Sequence, residues 1–151
     1  MAKICIVCAH GGHLTEALYL MDAFEGHDVY FITYKGARTN SLVNKYLFDS
    51  PGFGYFRAMV KLFYYVPALL KILWREKPAI IVSTGGEIAI PAFYIAKLFG
   101  SKTVFVETWT RIQFPTWTGK LVYPISDVFL VQWPEILRRY GKRAKYVGGI
   151  V

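Results

Sequence analysis

Two glycine pairs each stand directly after a short apolar run and directly before a titratable side chain: Gly11-Gly12 before His13, and Thr84-Gly85-Gly86 before Glu87. Glycine lets a chain turn tightly and leaves backbone N–H groups bare. Where such a turn opens a helix, the positive end of the helix dipole adds to them, so the arrangement suits an anion. Two such loops at one edge of a sheet could grip a diphosphate. Neither is a dinucleotide fingerprint, because no G-x-G-x-x-G spacing occurs, and neither is a phosphate loop, because no G-K-[ST] follows. A structural tight turn competes as the explanation of either loop alone. The coincidence with His13, Glu87 and a third acid at a strand end, Glu107, favours a functional site.

Other residues of chemical interest point elsewhere. His10 and His13, with carboxylates only at a distance, lack any fixed ligand spacing, so no metal site is expected. His27, just before an apolar run, reads as a turn residue. Cys5 and Cys8 form a C-x-x-C pattern inside a strand-like run, where side chains three residues apart point to opposite faces and do not close a disulfide. They read as structural cysteines of a reducing compartment.

The elements that position these loops follow from the apolar rhythm. Short β-type runs at residues 3 to 8, 28 to 33, 79 to 83, 103 to 107, 128 to 131 and 144 to 147 alternate with helical patterns, including helices from near Leu14 and over 88 to 99. That alternation predicts a doubly wound, Rossmann-like parallel sheet in a single domain over residues 1–151, a length sufficient to bury its own core. Ile80-Ile-Val and Val104-Phe-Val are almost wholly apolar, as strands covered on both faces are. Ligands of such sheets bind beyond the carboxyl ends of the strands, where both glycine loops and Glu107 fall.

Lys plus Arg number 18 against 10 Asp plus Glu, a formal charge of +8, and aromatic residues make up 17% of the chain. No nucleic-acid-binding signature accompanies this charge, whereas an anionic membrane surface fits it. Residues 53 to 75 read as a long helix carrying Pro67, on which Arg57, Lys61, Lys71 and Arg75 share an arc of roughly 80°. Phe56, Met59, Val60, Leu62, Phe63, Val66, Leu69, Leu70, Leu73 and Trp74 fill the rest of its circumference. Its longest uncharged run, residues 62 to 70, is too short to cross a bilayer, which takes about 20 apolar residues. The helix suits lying in a membrane interface, against the alternative that its apolar face packs on the sheet and its basic stripe is solvated. With no secretory signal at the start, a peripheral position on the cytoplasmic face is expected.

Val106-Glu-Thr-Trp-Thr-Arg-Ile, Thr118-Gly-Lys-Leu, Asp127-Val-Phe-Leu-Val-Gln-Trp-Pro-Glu and the terminal Val147-Gly-Gly-Ile-Val together resemble the Alg/PssD/CpsF family, from Ile4 through Val151. The resemblance implies a GT-B glycosyltransferase split over two chains, with this one similar to the acceptor-side, N-terminal domain of the single-chain relative MurG. Eukaryotic members generally carry an N-terminal membrane anchor, whereas this sequence starts at its first strand and looks more like the PssD and CpsF forms. The loop also reads Ala9-His10-Gly11-Gly12 where members often have small residues or glycine before Gly-Gly-His.

What the resemblance implies is inverting transfer of a sugar, GlcNAc above all, from a UDP-sugar to a lipid-diphosphate-linked saccharide in oligosaccharide or exopolysaccharide biosynthesis. The donor would be bound by a separate partner subunit, without metal and with no cofactor on this chain. Activity would need both chains. His13 is then the first candidate for the base that takes the acceptor's proton, since imidazole titrates near neutrality, with Glu107 and Glu87 as rivals or as holders of sugar hydroxyls. Arg111 would bind acceptor phosphate alongside Gly11, Gly12, Thr84, Gly85 and Gly86. The segment from Tyr140 to Val151 would contribute to the partner interface. A non-catalytic membrane adaptor is the competing reading, and a nucleotide-binding oxidoreductase a weaker third that the missing fingerprint disfavours.

Overall fold

The computed structural model describes residues 1–52 and 55–150, apart from the side chains of Tyr55 and Phe56. The expected helix start at residue 53, the place of Phe56 on that helix and the terminal Val151 lie outside the described residues. The strands are β1 (Lys3–Cys8), β2 (Asp28–Tyr34), β3 (Lys45–Phe48), β4 (Ile80–Gly85), β5 (Lys102–Val106), β6 (Val128–Val131) and β7 (Ala144–Tyr146). They form one seven-stranded sheet in the order β3-β2-β1-β4-β5-β6-β7, and every pairing is parallel. The order reverses between β1 and β4. That switch point is where a doubly wound sheet opens a crevice for ligand.

Helices α1 (Gly12–Tyr19), α2 (Tyr55–Glu76), α3 (Ala89–Leu98), α4 (Trp117–Val122) and α5 (Leu137–Tyr140) connect the strands. One face of the sheet packs Cys5, Val7, Tyr30, Ile32, Ile81, Phe105 and Phe129 against Leu69 and Leu73 of α2, Phe93 of α3 and Val122 of α4. The other packs Ile4, Ile6, Cys8, Phe31 and Val82 against Leu14 and Ala17 of α1. Cys5 and Cys8 thus enter opposite cores as free, buried thiols, and burial raises both above the ordinary thiol range, Cys8 to about 12. Thiols so far from ionising are packing residues, not nucleophiles. His27 is exposed in the turn before β2, where its Nδ1 accepts a hydrogen bond from the Ala2 N–H at 3.2 Å.

Several boundaries differ from the sequence expectation. β3 was not anticipated: Lys-Tyr-Leu-Phe is four half-buried residues on a sheet edge, too short for alternation to register. β4 runs on through Thr84 and Gly85, so Gly86, Glu87 and Ile88 form the turn into α3, which begins at Ala89. α1 begins at Gly12, before Leu14, and β5 stops at Val106, one residue short of Glu107.

The long helix α2 divides differently from its expected pattern. Leu62, Leu69 and Leu73 are buried, but Phe63 is 74% exposed, Tyr64 77% and Trp74 64%. Arg57, Lys71 and Arg75 are exposed beside them, while Lys61 is half-buried and its Nζ donates to the Ser50 carbonyl at 2.9 Å. The apolar circumference is therefore wider than the sheet can cover. No helix among the described residues is long and apolar enough to cross a membrane.

Candidate functional site

The two glycine loops close on each other at the switch point. The Ala9 N–H donates to the Gly85 carbonyl at 3.0 Å, and a Cβ on Gly86 would sit 2.5 Å from the Cβ of Ala9. With φ of +128° at Gly85 and +99° at Gly86, both positions require glycine for conformation as well as space. Gly11, at φ +84°, caps α1 without a side-chain bond, and beside Gly11 and Gly12 lies open space. Gly11 and Gly12 are exposed, whereas His13 is half-buried and Leu14 buried, so the bare backbone at the start of α1 is that of the two glycines.

His13 is clamped between the loops. Its Nδ1 lies 2.9 Å from the Thr84 carbonyl oxygen, and Thr84 Oγ1 donates back to the His13 carbonyl at 2.6 Å. A carbonyl only accepts, so Nδ1 carries the proton and Nε2 keeps its lone pair. Burial holds the imidazole below its usual pKa of 6.5, partly offset by the Thr84 hydrogen bond and the charges of Glu107 and Glu87. The ring is thus neutral, with fixed tautomer, at physiological pH. Gly85 is what admits it, since a Cβ there would sit 2.5 Å from His13 Cε1.

Glu107 differs from His13 in that fixed donors hold its carboxylate. It is 1% exposed, and its carboxylate accepts from the Thr108 N–H at 3.0 Å, the Thr116 N–H at 3.1 Å, the Thr116 hydroxyl at 3.0 Å and the Tyr140 hydroxyl. A carboxylate with both oxygens engaged by fixed donors anchors a loop rather than receiving a substrate proton. The anchored loop is Thr108–Thr116, and the anchor explains the glycine that follows: a Cβ on Gly119 would come within 2.6 Å of Glu107 Oε2 and 2.9 Å of Thr116 Oγ1. The Glu107 and Thr118-Gly-Lys motifs are two halves of one packing arrangement.

Sequence reasoning missed Glu16, one helical turn after His13. It is 1% exposed, accepts from Thr108 Oγ1 at 2.5 Å, and burial raises its carboxyl to about 7. The i, i+3 spacing from His13 was the available signal. Gln132, from the Val-Gln-Trp-Pro run, ties this cluster together: its amide donates to the Glu107 carbonyl at 2.9 Å and to Glu16 Oε2 at 3.4 Å, and accepts from the Ile150 N–H at 3.0 Å. The C-terminal segment is thereby linked to the site's buried floor.

The remaining residues lie around the rim. Glu87 is half-buried in the turn before α3, and Arg111 is exposed on the anchored loop. Arg38, another residue the sequence did not single out, donates from its guanidinium to Thr15 Oγ1 at 2.8 Å, and Thr15 in turn bonds the Gly11 carbonyl. A cation therefore stands beside the open glycine turn. Among the described residues no cluster of three His, Cys, Asp or Glu is arranged to hold a metal.

Residues 51–150 match the family described as oligosaccharide biosynthesis protein Alg14 like. Over 57 residues the chain is 44% identical to the UDP-N-acetylglucosamine transferase subunit alg14 of Schizosaccharomyces pombe, a stretch that covers 36% of this chain and 27% of that protein. Over 86 residues it is 31% identical to the Homo sapiens subunit of the same name, covering 53% and 39% of the two. The matched stretches thus span well under half of these relatives. Among solved structures, Acinetobacter baumannii MurG superposes with a TM-score of 0.78 at 18% identity, over 99% of this chain and 46% of that one. The Methanocaldococcus jannaschii UDP-GlcNAc 2-epimerase in complex with UDP-GlcNAc and UDP gives 0.74 at 17% identity, over 97% and 46%. At such identities the likeness establishes the Rossmann-like α/β fold.

Proposed function

The chain belongs to the Alg14-like family of oligosaccharide biosynthesis proteins, and on that premise we propose that it is the acceptor-binding, membrane-recruiting part of a two-subunit transferase. The reaction is transfer of a sugar, GlcNAc in the first instance, from a UDP-sugar to a lipid-diphosphate-linked saccharide. A partner subunit holds the donor, and this chain corresponds to the acceptor-side half of a GT-B enzyme, working at the cytoplasmic face of a membrane.

The observation that carries the reading is the orientation of His13 at the switch point. Its Nδ1–H is committed to the Thr84 carbonyl, so Nε2 is the atom available to a ligand. In the proposed step an acceptor hydroxyl gives its proton to Nε2 as its oxygen attacks the anomeric carbon, and the UDP oxygen leaves with the electrons of the broken glycosidic bond. The N–H groups at Gly11 and Gly12, with Arg38, Arg111 or both, hold the acceptor's phosphates. Glu87 orients a sugar hydroxyl. Glu107 acts through position alone, by fixing the loop that carries Arg111.

Membrane recruitment rests on α2. Phe63, Tyr64 and Trp74 are exposed beside Arg57, Lys71 and Arg75, the pairing of aromatic and basic side chains that lies at a lipid headgroup boundary. Lys61, tied to Ser50, contributes less.

The test is sugar transfer from radiolabelled UDP-sugars to a lipid-diphosphate acceptor, measured with this chain alone, the candidate donor-binding subunit alone, and both together. Transfer in the mixture only supports the split enzyme. Full transfer by the other subunit alone would reduce this chain to an adaptor.

A further inference from the structure

A buried acid on α1 has no use in the account above. Glu16 lies between Leu14 and Ala17 in the sequence and is as deeply buried as they are, 1% exposed. A carboxylate is rarely so buried unless it is bound to something, because removing it from water is costly. Its partners come from the far half of the chain. Thr108, the first residue of the anchored loop, donates from its hydroxyl to Glu16 Oε1 at 2.5 Å, and Gln132 Nε2 approaches Oε2 at 3.4 Å. Gln132 is held in that orientation, since its Oε1 accepts from the Ile150 N–H and its Nε2 gives its other hydrogen to the Glu107 carbonyl. Glu16 therefore meets a donor at each oxygen.

The bond to Thr108 bears directly on Arg111. The two residues are the ends of a tight turn, closed by the Arg111 N–H on the Thr108 carbonyl at 3.1 Å, and within it the Thr108 and Thr110 hydroxyl oxygens lie 3.3 Å apart. Further along α1 the Tyr19 ring meets that of Trp109, in the same turn, at a centroid distance of 6.5 Å. In the other direction α1 begins at Gly12, one helical turn before Glu16. A single turn of helix moves as one piece, so what fixes Glu16 against Thr108 fixes the glycine turn against Arg111. Glu107 sets the shape of the loop; Glu16 sets its place against α1.

We propose that Glu16 is a positioning residue for the acceptor: by holding Thr108 it sets the interval between the glycine turn and Arg111, so that both reach one diphosphate. The inference rests on the transferase reading above and deepens it by naming the group that joins the two halves of the phosphate site. Glu16 itself is buried and touches no ligand.

The test uses the reconstituted two-subunit enzyme at about pH 8, above the value of about 7 to which burial raises Glu16, so that its carboxylate is ionised. Thr108→Val keeps the shape of the side chain and removes the donor, whereas Thr108→Ser keeps the donor and removes a methyl group. With Thr108→Val the KM for the lipid-diphosphate acceptor rises about tenfold, the size of one hydrogen bond to a charged group, while kcat and the KM for the UDP-sugar are unmoved. Thr108→Ser stays near wild type. A packing role gives the reverse order, with valine tolerated and serine impaired. Glu16→Gln breaks the same link from the other end and raises the acceptor KM to a similar extent. In the Arg111→Ala background neither Thr108→Val nor Glu16→Gln raises it further, because both act through Arg111. A wild-type acceptor KM in Thr108→Val, a serine variant worse than valine, or effects that multiply with Arg111→Ala overturn the inference while leaving the transferase reading intact. Absence of transfer by the wild-type pair overturns both.

Discussion

Replacing Glu107 with Ala separates an anchoring carboxylate from a catalytic one. In the native chain its two oxygens receive the Thr108 N–H, the Thr116 N–H, the Thr116 hydroxyl and the Tyr140 hydroxyl. Truncation strands the Thr108 N–H and the Tyr140 hydroxyl in buried surroundings and the Thr116 N–H in partly buried ones. Only the Thr116 hydroxyl, which also accepts from the Gly119 N–H at 2.9 Å, keeps a native partner. Three donors at roughly 1 to 2 kcal/mol each come to about 3 to 6 kcal/mol, a large part of a typical domain stability of about 5 to 15 kcal/mol. With a urea dependence of about 2 kcal/mol/M, the unfolding midpoint falls by about 2 M. Glu107→Gln keeps the shape but points an amide donor at donors, and it falls between the two. Urea unfolding followed by far-UV circular dichroism measures this. A midpoint for Glu107→Ala within about 0.5 M of wild type, with transfer lost, would refute the anchoring argument and restore Glu107 as a chemical group.

Two further outcomes follow from the site and the helix. Because burial lowers the His13 pKa below 6.5, and only the neutral ring accepts a proton, kcat/KM of the reconstituted pair rises with pH along a limb whose apparent pKa lies below 6.5. His13→Gln removes that limb and lowers turnover by about 100-fold or more; a limb that persists in His13→Gln belongs to another group. Phe63 and Trp74 are 74% and 64% exposed, so inserting each into a lipid interface contributes about 1 to 2 kcal/mol. Replacing either by Ser weakens sedimentation with anionic liposomes roughly tenfold, with folding unchanged. Equal sedimentation of wild type and variants would show that α2 does not enter the interface.

By itself the sequence determined the parallel sheet, most of its strands, the opposite facing of Cys5 and Cys8, and the place of the glycine loops at strand ends. These are local matters: apolar period, turn chemistry and the alternation of side chains along a strand depend on residues a few positions apart. It also marked His13, because histidine after two glycines at a strand end is unusual enough to notice. Tertiary structure alone decided what each titratable group can do. Glu107 stood in the sequence as a rival to His13, and only the fold brings four donors from residues up to Tyr140 together on it. Glu16 is ordinary in the sequence, and burial raises its carboxyl to about 7. The outward turn of Phe63, Tyr64 and Trp74 was equally hidden, since hydrophobic period gives the width of an apolar face but not how much of it the sheet can cover. Desolvation and hydrogen-bond saturation depend on neighbours brought together from distant parts of the chain, and no spacing in the sequence encodes them.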